Sequence, residues 1–184
     1  MTNEIERALH ELKLPGMASC WNSLEETHQL DKISLRDGMQ IMLQNERDTR
    51  QNNRIQRLIK QANFRLKASV EELETDTTRG ISAASAAELA AGRYIDNGMT
   101  VIITGPAGTG KSYFACALGD RACRNGVKVM YFTMNMLIEN LKLVHLEGRE
   151  TNFFRKLNNQ DVLIVDDFGM VKLDGQIQHD FEQI

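Results

Sequence analysis

The segment Gly105-Pro-Ala-Gly-Thr-Gly-Lys111-Ser112 meets the pattern G-x-x-x-x-G-K-[ST] at every fixed position. It constrains the fold more than any other stretch, because such a loop works only between a buried strand and the start of a helix. The flanks fit. Met99-Thr-Val-Ile-Ile-Thr104 reads as a buried strand, and Tyr113 to Arg124 reads as a helix. Glycines let successive peptide N–H groups turn inward around an oxyanion, and the first turn of the helix adds unpaired N–H donors and a partial positive charge. The pattern therefore makes Gly105, Pro106, Ala107, Gly108, Thr109, Gly110, Lys111, Ser112 and Tyr113 the candidate cofactor-binding residues for a nucleoside triphosphate, ATP. Lys111 reaches the β- and γ-phosphates, and Ser112 is a candidate ligand for Mg²⁺.

The second half of the chain alternates strand and helix. Val127 to Phe132 reads as a second strand, Leu137 to Leu146 as a helix, and Asp161 to Asp166 as a third strand. Glu147-Gly-Arg-Glu150 reads as a loop, and Gln176 to Ile184 as a helix. Such alternation means a parallel sheet covered by helices. Val162-Leu-Ile-Val165 is a buried central strand that delivers Asp166 and Asp167 at its C-terminal end, where ligands bind in open α/β sheets. By itself such a run is also an ordinary strand followed by a turn. Beside a phosphate loop, Asp166 becomes the second Mg²⁺ candidate, and Asp167 the carboxylate that orients the attacking water. Lys111 and Asp167 are thus the candidate catalytic residues. Phe168-Gly169 imitates the D-F-G of protein kinases without the accompanying kinase elements.

The first ninety residues show no strand pattern and read as helical. Helices are expected over Ile5 to Leu14, stopped by Pro15-Gly16, over Met17 to Leu30, and from a Ser34-Leu-Arg-Asp37 cap to about Asn63. Residues 75–80 read as a linker, and Ala83 to Tyr94 as a further helix. The expected division is 1–79 and 80–184. The formal net charge of −3 argues against the whole chain being an electrostatic nucleic-acid binder, yet Arg47 to Lys67 holds seven Lys/Arg against one acid. Arg47, Arg50, Arg54 and Arg57 lie within about 80° of one helix face, with Lys60 beyond them. They form either a contact surface for duplex DNA phosphates or a solvated helix face. Arg149, Arg155 and Lys156 form a weaker cluster of the same ambiguity. Hydrophobic residues make up 42% of the chain, and no apolar run is long enough to span a bilayer. An acidic start and three unpatterned cysteines, Cys20, Cys116 and Cys123, suggest a cytoplasmic protein with reduced, buried thiols.

Taken together, these residues resemble the IstB-type proteins. Leu9-His-Glu-Leu-Lys-Leu-Pro-Gly-Met17 and Asn53-Arg-Ile-Gln-Arg-Leu-Ile-Lys-Gln-Ala62 are similar to that family's N-terminal segments. Gly105 to Ser112 and Leu163-Ile-Val-Asp-Asp-Phe-Gly169 are similar to its two nucleotide motifs. The resemblance implies an α/β P-loop NTPase core of the AAA+ kind, with a three-layer parallel sheet preceded by an all-helical N-terminal domain. It implies an ATP-dependent homo-oligomer that assembles on double-stranded DNA and assists a transposase, with Arg47 to Lys60 as DNA contacts. Tyr94 and Ile95 would lie near the adenine ring, or else pack on the sheet. A DnaC-type helicase loader and a non-catalytic DNA- or partner-binding fragment are the alternatives. The AAA+ sheet order 5-1-4-3-2 would leave strands 4 and 5, the arginine finger and the lid beyond residue 184. The chain is thus expected to carry an incomplete core, with the first strand lacking both of its neighbours and hydrolysis weakened.

Overall fold

The computed structural model describes residues 4–74, 81–171, 173 and 175–182. The expected linker at 75–80 lies outside them. The chain divides into two compact units, 1–56 and 57–184.

The first unit is helical. It contains α1 (Glu4–Glu11), α2 (Pro15–Glu26) and the N-terminal part of α3 (Leu35–Ala62). Leu9, Met17, Ala18, Cys20, Leu24 and Met42 form its core, with Leu14, Trp21, Leu30 and Ile33 packed against them. Ser34 caps α3 as its S-x-x-D pattern requires. Its hydroxyl accepts the Asp37 N–H at 3.2 Å and donates to the Asp37 carboxylate at 2.6 Å. Pro15-Gly16 acts differently from expectation: it does not merely stop a helix but starts the next one. Proline at the first helical position lacks only an N–H that would be unpaired anyway. α2 consequently begins two residues earlier than read, and it ends at Glu26 rather than Leu30.

Gly16 also fixes how closely α2 approaches α3. A Cβ there would stand 2.6 Å from the Glu46 Cα and 2.7 Å from the Asn45 carbonyl oxygen. This contact lets Glu46, only 5% exposed, accept the Gly16 and Met17 N–H groups at 2.7 and 3.1 Å. Arg50 closes the arrangement at 2.6 Å from the other carboxylate oxygen. Burial pushes the Glu46 carboxyl up, but the Arg50 and peptide donors outweigh it and hold the group below its ordinary range.

The second unit is α/β. After the last turns of α3 come a single 3₁₀ turn (Val70–Glu72), α4 (Ala83–Ala90), α5 (Arg93–Asp96) and α6 (Lys111–Arg124). β1 (Val129–Thr133), α7 (Met134–Glu147), α8 (Glu150–Asn158), β2 (Val162–Asp166) and α9 (Gly175–Phe181) follow. β1 and β2 pair in parallel from Val129↔Val162 to Thr133↔Asp166. Successive β1 side chains go to different clusters, as the two-residue strand period demands. Met130 and Phe132 join Leu137, Leu141, Leu157 and Ile177, whereas Val129 joins Leu58, Ala62, Ala122 and Cys123. His145 ties three helices together, 3.1 Å from Glu150 of α8 and 2.7 Å from the buried Asp180 of α9.

Two features depart from the sequence reading. Residues 99–104 form no strand: among the described residues the sheet holds only β1 and β2. Val101 and Ile103 are half-buried, while Met99 and Ile102 are 56% and 81% exposed, so the alternation of a strand is present without a ladder partner. A strand exists through hydrogen bonds to a neighbour, and none of the described residues supplies them here. α8 was also unforeseen. The expected loop at 147–150 contracts to Gly148 and Arg149, with Gly148 left-handed at φ 64°, and a new helix begins at Glu150.

Candidate nucleotide site

The phosphate loop joins residues 99–104 to α6. Gly108 and Gly110 have φ of 79° and 88°, and a Cβ at either would meet nothing within 4 Å. Glycine is required there by backbone conformation rather than by lack of space. Gly110 occupies the N-cap of α6 and no side chain caps the helix, so the first-turn N–H groups stay available to an anion. Pro106 supplies the loop's internal anchor. Its carbonyl accepts the Thr109 hydroxyl at 2.9 Å and the Lys111 ammonium at 2.7 Å. Lys111 is thereby curled across its own loop, and a phosphate oxygen would compete with that carbonyl for the ammonium. Ala107 is exposed with the rest of the loop. Tyr113 points elsewhere: its hydroxyl donates to Glu72 at 2.9 Å, and that bond raises the phenol above its ordinary value.

The fold brings Ser112 to Asp166. The serine hydroxyl helps to lower the Asp166 carboxyl, so the first turn of α6 and the end of β2 share one polar centre. Two further donors complete the environment of Asp166. The Tyr131 hydroxyl donates to Oδ2 at 2.7 Å, and the Asp167 N–H donates to Oδ1 at 2.9 Å. Burial pushes the Asp166 carboxyl up; the bonds from Ser112, Tyr131 and Asp167 more than reverse this and hold it below the usual range. Burial and the Asp166 bond together push the Tyr131 phenol far up, so it remains a donor.

A hard cation suits this donor set of carboxylate and hydroxyl oxygens. Among the described residues, no group of three or more His, Cys, Asp or Glu side chains could hold a metal ion. A magnesium ion here would therefore rest on Asp166 and Ser112, with phosphate and water completing its shell. Asp167 adopts a left-handed φ of 55°, and its carboxylate lies 3.5 Å from Arg65. Tyr131 and Arg65 are the residues that sequence reasoning missed. Tyr131 stands two residues before the end of β1, opposite Ile164, and only the parallel register reveals its reach to Asp166. Arg65 carried no signal beyond its positive charge.

Arg47, Arg50, Arg54, Arg57 and Lys60 are all exposed on α3. Arg50 is engaged locally, with Glu46 and with the Lys13 carbonyl at 3.3 Å. Of the weaker cluster, Arg149 pairs with Glu147 and Arg155 bonds Asn152. Ile95 packs with the Leu58, Ala122 and Cys123 cluster, while Tyr94 beside it is half-buried. The three cysteines are buried and unpaired. No helix among the described residues is long and apolar enough to cross a membrane.

Comparison with known proteins places these features in one group. The family described as IstB-like ATP binding protein matches residues 7–184. A protein of insertion sequence IS1162 from Pseudomonas fluorescens, named for ATP binding, is 35% identical over 188 aligned positions, covering 100% of this chain and 80% of its own length. An insertion-sequence protein of Sinorhizobium fredii, similarly named, is 32% identical and covers 96% of this chain and 72% of its own. One from insertion sequence IS5376 of Geobacillus stearothermophilus is 27% identical over 100% of this chain and 73% of its own.

Proposed function

The chain belongs to the IstB-like ATP binding protein family, and from that membership we propose that it is an ATP-binding helper for DNA transposition. On this reading it assembles on target duplex DNA and acts with a transposase. The observation that carries the nucleotide half is the glycine-built loop that leaves the first-turn N–H groups of α6 uncapped, together with the Asp166 carboxylate held charged at the end of β2 by Tyr131 and the Asp167 N–H. The loop amides and Lys111 hold the triphosphate, and the first-turn dipole of α6 favours its negative charge. Ser112 and Asp166 hold Mg²⁺, which when bound neutralises charge on the phosphates. Asp167 accepts a hydrogen bond from the attacking water and orients it toward the γ-phosphorus. The products are ADP and phosphate. The core is the three-layer AAA+ arrangement, and the working form is a homo-oligomer.

The basic residues of α3 supply the DNA half. Arg47, Arg54, Arg57 and Lys60 present exposed cations to phosphate oxygens, and arginine's planar fork grips phosphate with two donors. Two titrations test the proposal. Mg·ATP should bind the wild-type chain and should bind Lys111→Ala about tenfold to a hundredfold more weakly, the range for losing a charge-assisted hydrogen bond. Duplex DNA should bind with an affinity that falls steeply with salt and drops further in the Arg54→Ala/Arg57→Ala/Lys60→Ala variant. Salt-independent binding would remove the DNA assignment; Mg·ATP binding unaffected by Lys111→Ala would remove the nucleotide site.

A further inference from the structure

Arg65 reaches the nucleotide site from outside either nucleotide motif, and the chain around it is built to hold it there. Asn63 takes a φ of 57° and turns the backbone out of α3. Phe64 then seats its ring over Gly119, where a Cβ would lie 2.5 Å from the ring, and meets Tyr131 edge-on at 6.4 Å between centroids. Burial pushes the Cys116 thiol on α6 up, and the peptide N–H groups of Arg65 and Leu66 work against that rise. Arg65 is thus anchored on α6 and β1, and its Nη1 stands 3.5 Å from the Asp167 Oδ2. Asp167 itself holds a left-handed backbone, which a side-chain-bearing residue keeps where its neighbours fix it. Its neighbours here are the Asp166 carboxylate, which accepts its N–H at 2.9 Å, and Arg65.

We propose that Arg65 is a positioning residue that restrains Asp167, so that ATP turnover rises when the pair is broken. The proposal rests on the reading of Asp167 as the water-orienting carboxylate. In hydrolysis the water oxygen bonds to the γ-phosphorus, and the bond to the β–γ bridging oxygen breaks, leaving its electron pair on ADP. The water proton passes by way of Asp167 to the released phosphate. A guanidinium on Oδ2 occupies an acceptor that the water needs. Both partners are about half exposed, at 56% and 50%, so the restraint is modest and releasable. A phosphate-rich partner competes for the same guanidinium.

The test uses the full chain, with steady-state ATP turnover and Mg·ATP binding measured separately for wild type, Arg65→Ala, Arg65→Lys and Arg65→Ala/Asp167→Asn. Arg65→Ala should raise turnover about threefold to fivefold, the span of a half-exposed ion pair, with Mg·ATP affinity unchanged. Arg65→Lys, which keeps the charge, should stay near wild type, and the double variant should lose the gain. Turnover that stays level or falls in Arg65→Ala, with binding intact, overturns the restraint while leaving the nucleotide reading in place. A gain that survives Asp167→Asn shows that Arg65 does not act through Asp167 and also overturns it. Absence of Mg·ATP binding by the wild-type chain sinks the underlying reading, and the restraint with it.

Discussion

Glu46 and Asp166 are both held in their charged form by hydrogen bonds, and they are held in different ways. Glu46 is 5% exposed, and its donors are two peptide N–H groups at the start of α2 and the Arg50 guanidinium. Asp166 is half-buried, and the groups that lower it include two hydroxyls, of Ser112 and Tyr131. In both cases burial raises the carboxyl and hydrogen bonds bring it below the ordinary range. The direction of the shift is the same; the chemistry is not. A peptide N–H in a helix terminus cannot turn away, so Glu46 is committed to joining α2 to α3. A hydroxyl can rotate and present its lone pairs, so Ser112 can face a cation beside Asp166 instead of donating to it. A depressed carboxylate marks a ligand site only when its donors can yield.

This contrast breaks most readily with alanine. Glu46→Ala should lower unfolding stability by about 3 kcal/mol, because it removes charge-assisted bonds and leaves the Gly16 and Met17 N–H groups without their acceptor. Asp166→Ala should lower stability by about 1–2 kcal/mol, since it leaves the buried Tyr131 hydroxyl without its acceptor, while weakening Mg·ATP binding by roughly tenfold or more. Urea unfolding and Mg·ATP titration of both variants check the pair. The contrast fails if the two losses exchange places. Gly16→Ala comes next, at about 2 kcal/mol, since its Cβ would press on the backbone of α3 rather than on a movable side-chain tip. Gly119→Ala would set its Cβ 2.5 Å from the Phe64 ring and 2.9 Å from the Ile164 Cδ1, side chains rather than backbone, and should cost less in the same unfolding experiment.

Acid sharpens the comparison further. The folded-state pKa of Glu46 lies below its ordinary value of 4.5. Its contribution to stability is therefore complete above about that pH and fades as pH falls through the folded value. Glu46→Gln should flatten this part of the stability curve relative to wild type, as measured by urea midpoints across the acid range. An identical slope in the variant would mean that Glu46 is not the group responsible.

The sequence made these two acids unequally legible. Asp166 follows a buried apolar strand and a phosphate loop, so its role could be read from neighbours along the chain. Glu46 sits beside the basic stretch of α3 and resembles any surface acid. Its burial depends on the start of α2 arriving from 30 residues away. Local signals worked where the chemistry is local: the Ser34–Asp37 cap and the helix after Gly110 came out as read. They failed where tertiary contact decides. Pro15-Gly16 looked like a stop because nothing in the sequence shows Glu46 waiting for their N–H groups. Residues 99–104 looked like a strand because alternation is visible in sequence and a ladder partner is not. Tyr131 and Arg65 escaped notice because only the β1–β2 register and the seat of Phe64 on Gly119 aim them at the site.

The smallest predicted effect tests the contrast at its finest point. Tyr131→Phe removes one hydroxyl from Asp166 and leaves the ring in its packing against Phe64. Since Tyr131 is 2% exposed and its partner half-buried, stability should fall by only about 1 kcal/mol. The carboxyl of Asp166, having lost a donor to its charged form, should move back up toward its ordinary value. Mg·ATP binding depends on that charged form, so its acid limb should shift to higher pH. Titrations of wild type and Tyr131→Phe from roughly pH 4 to 7 read the shift directly. A loss of stability with an unmoved acid limb would show the Tyr131 bond to be structural scaffolding of the same kind as the bonds to Glu46. Asp166 would then owe its ionisation to Ser112 and the Asp167 N–H, placing control of the site in the phosphate loop and the strand end alone.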